Sequence, residues 1–481
     1  MTHSTLYRII AVLALLLVGI NPGRATIAAP DVPTQAQSVE GPRQLPVVLR
    51  ADPNVSIQRV PAPASMRSAQ HMQSASIIIN YIPKGGADVF GAPCLAWPTA
   101  AQTAFTYAAS IWETLIHSSV PIVLQACWTD MGTSYLGYSA IDNYEHDFTG
   151  APLPHTWYPA SLANALTDSD LEPSRPDIHL SYNKAMHDAK QWYFGIDGNT
   201  PSNQYDFVSV VLHEIAHGLG FAGTMSVSGG SGSWGEETPY PDIYDRFTKD
   251  GSGNALLNTT LYPNPSAALG TALTNNNVWF DGPHANAANG GRRVKLYAPS
   301  SWEPGSSYSH LDYATFKNTE NSLMVYALSF GASNHSPGPV TMGLLRDIGW
   351  SLFIANTPPV LASLPDQPLA PGESKSNAIN LWAHASDAED IDTDLTFTIT
   401  NSPPLTVGVT IRDNQYIDIN PTDSFTGIFP VVVEVTDTGG LTDTGTFTIT
   451  VAESGTWYLY LPLVLDCCPV LPALQYQQPG W

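Results

Sequence analysis

The stretch Val208–Phe221, V-S-V-V-L-H-E-I-A-H-G-L-G-F, constrains this chain more than any other. His213 and His217 stand four residues apart, so on a helix they share one face about one turn apart. Two imidazoles so placed can reach a single metal ion, and Glu214 stands beside that ion rather than on it. There its carboxylate can act as general base toward a water whose pKa zinc lowers to about 7. Apolar Val208, Val210, Val211 and Leu212 predict a buried helix, and Gly218 and Gly220 predict its end. The plain alternative is a core helix carrying two histidines by chance. It accounts less well for the apolar lead-in, the glycine stop and the export signals described next.

The chain of 481 residues is long enough for two or three domains. Lys and Arg total 19 against 42 Asp and Glu, a formal charge of −23. That balance argues against nucleic acid and anionic membrane surfaces as partners. Only 13% of residues are charged, with 37 glycines and 40 prolines, as suits a loop-rich folded extracellular protein.

Residues 1–29 read as a signal peptide. Arg8 precedes the apolar run Ile9–Ile20, and small residues follow at Ala25–Ala29. The run is short for a stable membrane span, a retained anchor being the alternative. The expected destination is therefore secreted or extracellular, with possible association at the cell surface. Export permits disulfides, and Cys94 and Cys127 are the pair available in the body of the chain. Cys467 and Cys468 are adjacent, where a bridge between neighbours is strained. Residues 30–74, rich in Pro, Gln, Ser and Ala, read as a linker or pro-segment. They hold no cysteine, so latency through a thiolate on the metal is excluded there.

From Ala75 the pattern changes to that of an α+β domain, residues 75–353. Ser76–Ile82, Val120–Trp128 and Asp177–Tyr182 predict strands, and Thr99–His117 an amphipathic helix. His179 alternates with apolar neighbours and reads as structural or substrate-facing. Gly223 to about Tyr308 predicts a long irregular insertion that shapes a substrate cleft.

Catalytic zinc usually takes three protein ligands plus water, so one ligand is missing from the helix. Glu236 and Glu237 lie in G-E-E-T-P-Y-P, which is hostile to the second helix such a ligand needs. In the compact pattern H-E-x-x-H-x-x-G-x-x-H the third position falls on Gly223, which cannot ligate. His284 lies in a polar loop. His310, in S-H-L-D-Y-A-T-F, is the strongest candidate. It is followed by Asn321–Tyr326 (N-S-L-M-V-Y) and Thr341–Trp350 (T-M-G-L-L-R-D-I-G-W).

Together, H-E-x-x-H-x-x-G-F, a long insertion, S-H-L-D, a nearby methionine and a closing L-R-D-I-G-W resemble the leishmanolysin branch of metzincin peptidases. The resemblance is tight over Val208–Phe221 and Ser309–Trp350 and loose elsewhere. It implies a metzincin-like zinc peptidase domain in which His213, His217 and His310 bind Zn²⁺ and Glu214 is the general base. Met324 would form the methionine turn beneath the metal, and Tyr326 would stabilise a developing oxyanion. Core packing is the competing reading of Tyr326. Asp312 would support a ligating histidine.

After the boundary Asn356–Pro359, residues 357–452 show short alternating segments at Leu395–Thr400, Val407–Ile411, Tyr416–Ile419, Val431–Val435 and Gly445–Val451. This predicts an all-β sandwich, resembling Ig-like or cadherin-like modules. Asp387, Glu389, Asp390 and Asp437 are candidate ligands for Ca²⁺, with solvated acidic loops the competing reading. The tail, residues 453–481, carries the apolar Trp457–Leu465, too short to span a bilayer.

The expectation is a secreted zinc endopeptidase acting on protein or peptide substrates, with a β-sandwich that can bind a surface partner. A surface adhesin with an inactive peptidase-like domain is the alternative, and an intact Glu214 speaks against it. A third reading keeps zinc hydrolysis but takes Glu236 or Glu237 as the ligand.

Overall fold

Apolar residues alternating with polar ones supply the strands of one mixed six-stranded sheet, which is the floor of the first structural layer. In the computed structural model the described residues are 41–42, 46–63, 66, 74–352, 357–387, 390–401, 404–422 and 425–452. The expected signal peptide, the tail with Cys467 and Cys468, and Glu389 lie outside them. The sheet uses β1 (Val47–Val55), β2 (Ile77–Tyr81), β3 (Ile122–Thr129), β4 (Tyr135–Ile141), β5 (Ile178–Asn183) and β6 (Ala327–Phe330). Their order is β6-β1-β4-β5-β3-β2. β2, β3 and β5 run parallel, β4 is antiparallel to both β5 and β1, and β1 is parallel to β6.

Residues 30–74 read by composition as a linker or pro-segment, and within them Val47–Val55 is a full member of this sheet. The inward alternation of Val47 (4% exposed) and Leu49 (2%) carries it, although prolines and polar residues on both sides obscure that pattern.

Two helices pack against each other on the sheet. The amphipathic α1 (Thr99–Leu115) buries Ala104, Phe105, Ala108, Ile111 and Trp112. Its neighbour α2 (Phe207–Gly218) is buried along its whole length. Trp112 Nε1 donates to the Leu212 carbonyl at 3.2 Å, locking the pair without leaving the indole N–H unpaired. The disulfide Cys94–Cys127 ties the loop before α1 to β3.

The insertion after α2 is less irregular than its composition suggests. It holds a three-stranded antiparallel sheet of Thr248–Asp250, Val278–Phe280 and Val294–Lys295, and the short helix α3 (Pro283–Ala288). α4 (Gly338–Ile348) closes this part of the chain.

The C-terminal residues form a sandwich with a hydrophobic core of its own, including Leu395, Val431, Val433, Val435, Phe447 and Ile449. One sheet pairs β7 (Gln367–Leu369), β13 (Thr442–Val451), β12 (Gly427–Thr436) and β9 (Thr396–Ile399), in that order. The other pairs β8 (Lys375–Asn380), β11 (Tyr416–Ile419) and β10 (Val409–Arg412).

Candidate metal centre

Helix α2 is fixed at both ends before it presents any chemistry. Asp206 caps its start, accepting from the Ser209 amide at 2.8 Å, and also receives Thr200 Oγ1 and His335 Nε2 at 2.9 Å each. At its end, a Cβ on Gly218 would lie 2.3 Å from Ile178 of β5, so glycine permits helix and sheet to approach. Gly220 then takes a left-handed backbone, φ +107°. Trp350, from the closing G-W, donates through Nε1 to the Leu219 carbonyl at 2.7 Å.

The structure brings His213, His217 and His310 together, with Nε2···Nε2 separations of 2.9, 3.2 and 3.2 Å. All three are at most 1% exposed. Each ring is anchored through its other nitrogen to a backbone carbonyl. His213 Nδ1 donates to Leu323 at 2.7 Å, His217 Nδ1 to Phe221 at 2.7 Å and His310 Nδ1 to Ser306 at 2.8 Å. A carbonyl only accepts, so the proton sits on Nδ1 and each Nε2 presents a lone pair. Burial holds His213 down at about 4 and the other two well below the ordinary histidine range, so all three rings are neutral at pH 7.

Three lone pairs facing one another cannot hydrogen-bond among themselves and call for a cation. A tetrahedral ion at ordinary zinc–nitrogen distances needs nitrogens about 3.3 Å apart, close to the spacing found. Among the described residues this is the one group of three His, Cys, Asp or Glu side chains arranged to hold a metal. Imidazoles anchored through their second nitrogen are a donor set suited to zinc and to other imidazole-binding metal ions.

Glu214 is wholly buried, and neither of its carboxylate oxygens completes a hydrogen bond. Burial pushes its pKa well up, and the Leu49 backbone N–H offsets this only in part. An uncompensated buried carboxylate is costly unless a cation stands nearby. Gly137 of β4 makes room for it, since a Cβ there would lie 3.1 Å from Glu214 Oε1. Nothing in the pattern around Gly137 signals this in the sequence.

Met324 is fully buried at the end of a short 3₁₀ turn, Ser322–Met324. That turn joins the two ligand segments. The Leu323 carbonyl holds His213, while the Met324 carbonyl accepts from Leu311, next to His310, at 2.8 Å. Tyr326 is half-buried; its ring stacks on Tyr297 at 4.2 Å and meets Tyr313 at 5.1 Å, and its carbonyl accepts from the Arg50 amide at 2.9 Å.

Asp312 does not support a ligand, because His310 uses the Ser306 carbonyl. It caps the turn Tyr313–Phe316 instead, through the Thr315 amide at 3.1 Å. Glu236 and Glu237 sit on a left-handed turn (φ 42° and 68°) and are not part of the histidine group. His284 starts α3, where its amide donates to Asp347. Gly223 packs against Asp245 and Tyr308. His179 of β5 pairs with Asp142, which follows β4. In the sandwich, Asp390 accepts from the Thr438 amide at 2.7 Å and faces Arg346 of α4 at 3.5 Å. Asp437 accepts from the Leu441 amide at 2.8 Å, and Asp387 from the Asp390 amide at 2.7 Å.

Comparison with known proteins divides the chain unequally. Residues 356–450 match the Bacterial Ig domain family, so the C-terminal sandwich is of the Ig type. Residues 155–281, which include α2, match a family described as SPBPB7E8-like. No curated protein matches the chain. Among solved structures, similarity is found to protocadherin gamma B7 extracellular cadherin domains 1–4. The identity is 14% and the TM-score 0.18, over 20% of this chain and 24% of that one. The human desmocollin-1 ectodomain matches at 19% identity and TM-score 0.17, over 20% of each chain. The chain thus spans about a quarter or less of the length of these structures. Among the described residues, no helix is long and apolar enough to cross a membrane.

Proposed function

We propose that the α+β part of this chain is a zinc-dependent endopeptidase of metzincin-like, leishmanolysin-like type, exported from the cell. One observation carries the reading. Three neutral imidazoles, each locked by a backbone carbonyl, converge, and the residue next to the first of them is a buried glutamate whose carboxylate oxygens complete no hydrogen bond. His213, His217 and His310 would hold the ion. Bound Zn²⁺ supplies Lewis acidity, lowering the pKa of a water to about 7 and polarising a carbonyl.

The chain's own residues do the rest. Glu214 stands one residue from His213 on the same helix, so it can take a proton from water attacking the peptide carbonyl. It can then return that proton to the departing amine. The Leu323, Phe221 and Ser306 carbonyls keep the imidazoles from rotating away. Tyr326 is a weaker candidate for oxyanion stabilisation, because its ring is held in the tyrosine stack. The disulfide fits an oxidising, extracellular setting.

The Ig-type sandwich favours a second reading, an extracellular binding protein whose peptidase-like domain is inactive, and the comparisons lend their weight to it. The two differ in one assay. Purified full chain is measured for zinc content and for casein hydrolysis, beside Glu214→Gln and a chelator-treated sample. One zinc per chain, with hydrolysis lost in both controls, supports the peptidase. Bound zinc without hydrolysis under any condition supports the binding protein.

A further inference from the structure

His213 and His217 stand on α2, whereas His310 stands on a bend with no helix beneath it. Its imidazole donates to the Ser306 carbonyl at 2.8 Å, so the loop 306–310 closes on itself with Tyr308 at its middle. The chain turns back there because Tyr308 takes a left-handed backbone, φ +73°. A bulky residue enters that region at a cost, and keeps it only where its surroundings fix it.

The surroundings do fix it. Tyr308 is buried, and its hydroxyl donates to Asp245 Oδ1 at 2.8 Å and lies 2.9 Å from Thr248 Oγ1. Its carbonyl accepts from Tyr244 Oη at 3.0 Å. Tyr297 spans the turn through its backbone. Its carbonyl accepts from the Tyr308 amide at 2.7 Å, and its amide donates to the His310 carbonyl at 2.8 Å.

Asp245 reaches beyond Tyr308. It is wholly buried on the turn Tyr244–Phe247, and it also accepts from the Thr224 hydroxyl at 2.6 Å and the Thr224 amide at 3.2 Å. Thr224 lies on the segment that leaves α2, whose Phe221 carbonyl holds His217. One carboxylate therefore joins the chain just after the second imidazole to the chain just before the third. The Gly223 amide, donating to Ser309 Oγ at 3.4 Å, links the same two segments. Gly223 is where the compact motif would carry its third histidine. A Cβ there would lie 2.3 Å from Asp245 Oδ1 and 2.4 Å from Tyr308 Cε1, so this pair fills the space that a ligand at 223 would need.

We propose that Asp245 and Tyr308 are positioning residues for the third ligand. Their carboxylate–phenol hydrogen bond locks the left-handed turn that aims His310, and replaces across the insertion the short tether of the compact motif. This rests on the metal-centre part of the peptidase reading. It gives the insertion a part in holding the metal.

The test uses the full chain with two near-isosteric variants, Tyr308→Phe and Asp245→Asn. Leu269→Ala is the control, since it opens a cavity in a different part of the insertion, the helix Ala267–Leu273. Zinc affinity is read by chelator competition, ligand geometry by the visible spectrum of the Co²⁺-loaded chain, and stability by urea unfolding without metal. Tyr308→Phe should lower zinc affinity by roughly tenfold and shift the Co²⁺ bands, and Asp245→Asn should do both at least as strongly. Casein hydrolysis should lose kcat with KM little changed. Leu269→Ala should lose stability while keeping the wild-type affinity and spectrum. A folded Tyr308→Phe chain with wild-type zinc affinity and Co²⁺ spectrum would overturn the proposal, whether or not Asp245→Asn folds. So would a loss of affinity in Leu269→Ala as large as that in Tyr308→Phe, because the effect would then follow stability alone. Wild type that binds metal but hydrolyses nothing would strike the peptidase reading instead. The two metal readouts need no turnover and would still decide the roles of Asp245 and Tyr308.

Discussion

His310 and Ser306 are joined through the backbone: the imidazole Nδ1 donates to the Ser306 carbonyl at 2.8 Å, while Arg50 Nε holds the Ser306 hydroxyl at 3.0 Å. The third imidazole is therefore oriented by its own loop and steadied from β1. His310→Ala removes one of three donors and should abolish stoichiometric zinc binding at neutral pH, read by metal analysis after dialysis. Glu236→Ala and Glu237→Ala, on a turn outside the histidine group, should keep a full complement of zinc. Zinc lost only from the glutamate variants would transfer the ligand role away from His310.

Gly137 supplies a subtler test. A Cβ there meets Glu214 Oε1 and the Ser181 carbonyl, each at 3.1 Å. Those contacts are tight rather than impossible, so Gly137→Ala should fold and bind zinc. The displaced carboxylate should lower kcat by roughly 10- to 100-fold, since small misplacements of a reacting group are expensive. Unchanged kcat would mean that Glu214 adapts freely or takes no part in the reaction.

The sequence makes α2 and the sandwich legible because both announce themselves by period. The spacing of His213 and His217 needs only helical geometry, and the alternation in Val431–Val435 needs only a pleat. The candidacy of His310 follows from the third donor that a catalytic zinc would usually need and from the motif after it. What period cannot convey is partner choice. Asp312 looks like a helper for its neighbour His310, yet the nearby carbonyl serves and the carboxylate caps a turn. β1 is hidden for a related reason: its inward residues are few, and its place depends on two strands far along the chain. The Asp206 cap and the space left at Gly137 depend equally on three-dimensional neighbours.

One buried carboxyl group, Asp177, and one half-buried, Asp347, should give stability an unusual slope in mild acid. Asp177 accepts from the Val123 amide and Asn164, and Asp347 from the His284 and Ala285 amides. Burial nevertheless pushes each up to about 6 from an ordinary 3.8. A raised folded-state value means that the folded protein binds the proton more tightly. The stabilisation is thus present below about 3.8 and is lost as pH rises through about 6, at most about 3 kcal/mol per group. Denaturant melts of wild type and of Asp177→Asn and Asp347→Asn between pH 4 and 7 should show each variant gaining on wild type as pH rises. Parallel curves would place these groups at ordinary values.

Met324 underlies the last prediction, in which packing and metal affinity are separable. Its side chain is fully buried, and its turn holds His213 through Leu323 and the His310 segment through Leu311. Met324→Ala leaves a cavity and should cost about 2–5 kcal/mol in urea unfolding of the zinc-free chain. Because the Leu323 carbonyl then loses its support, zinc affinity should also fall by roughly 10- to 100-fold in a chelator competition. Met324→Leu nearly conserves volume and should cost under about 1.5 kcal/mol with affinity close to wild type. Should both variants lose zinc to the same degree, the thioether rather than the packed volume is what the site requires.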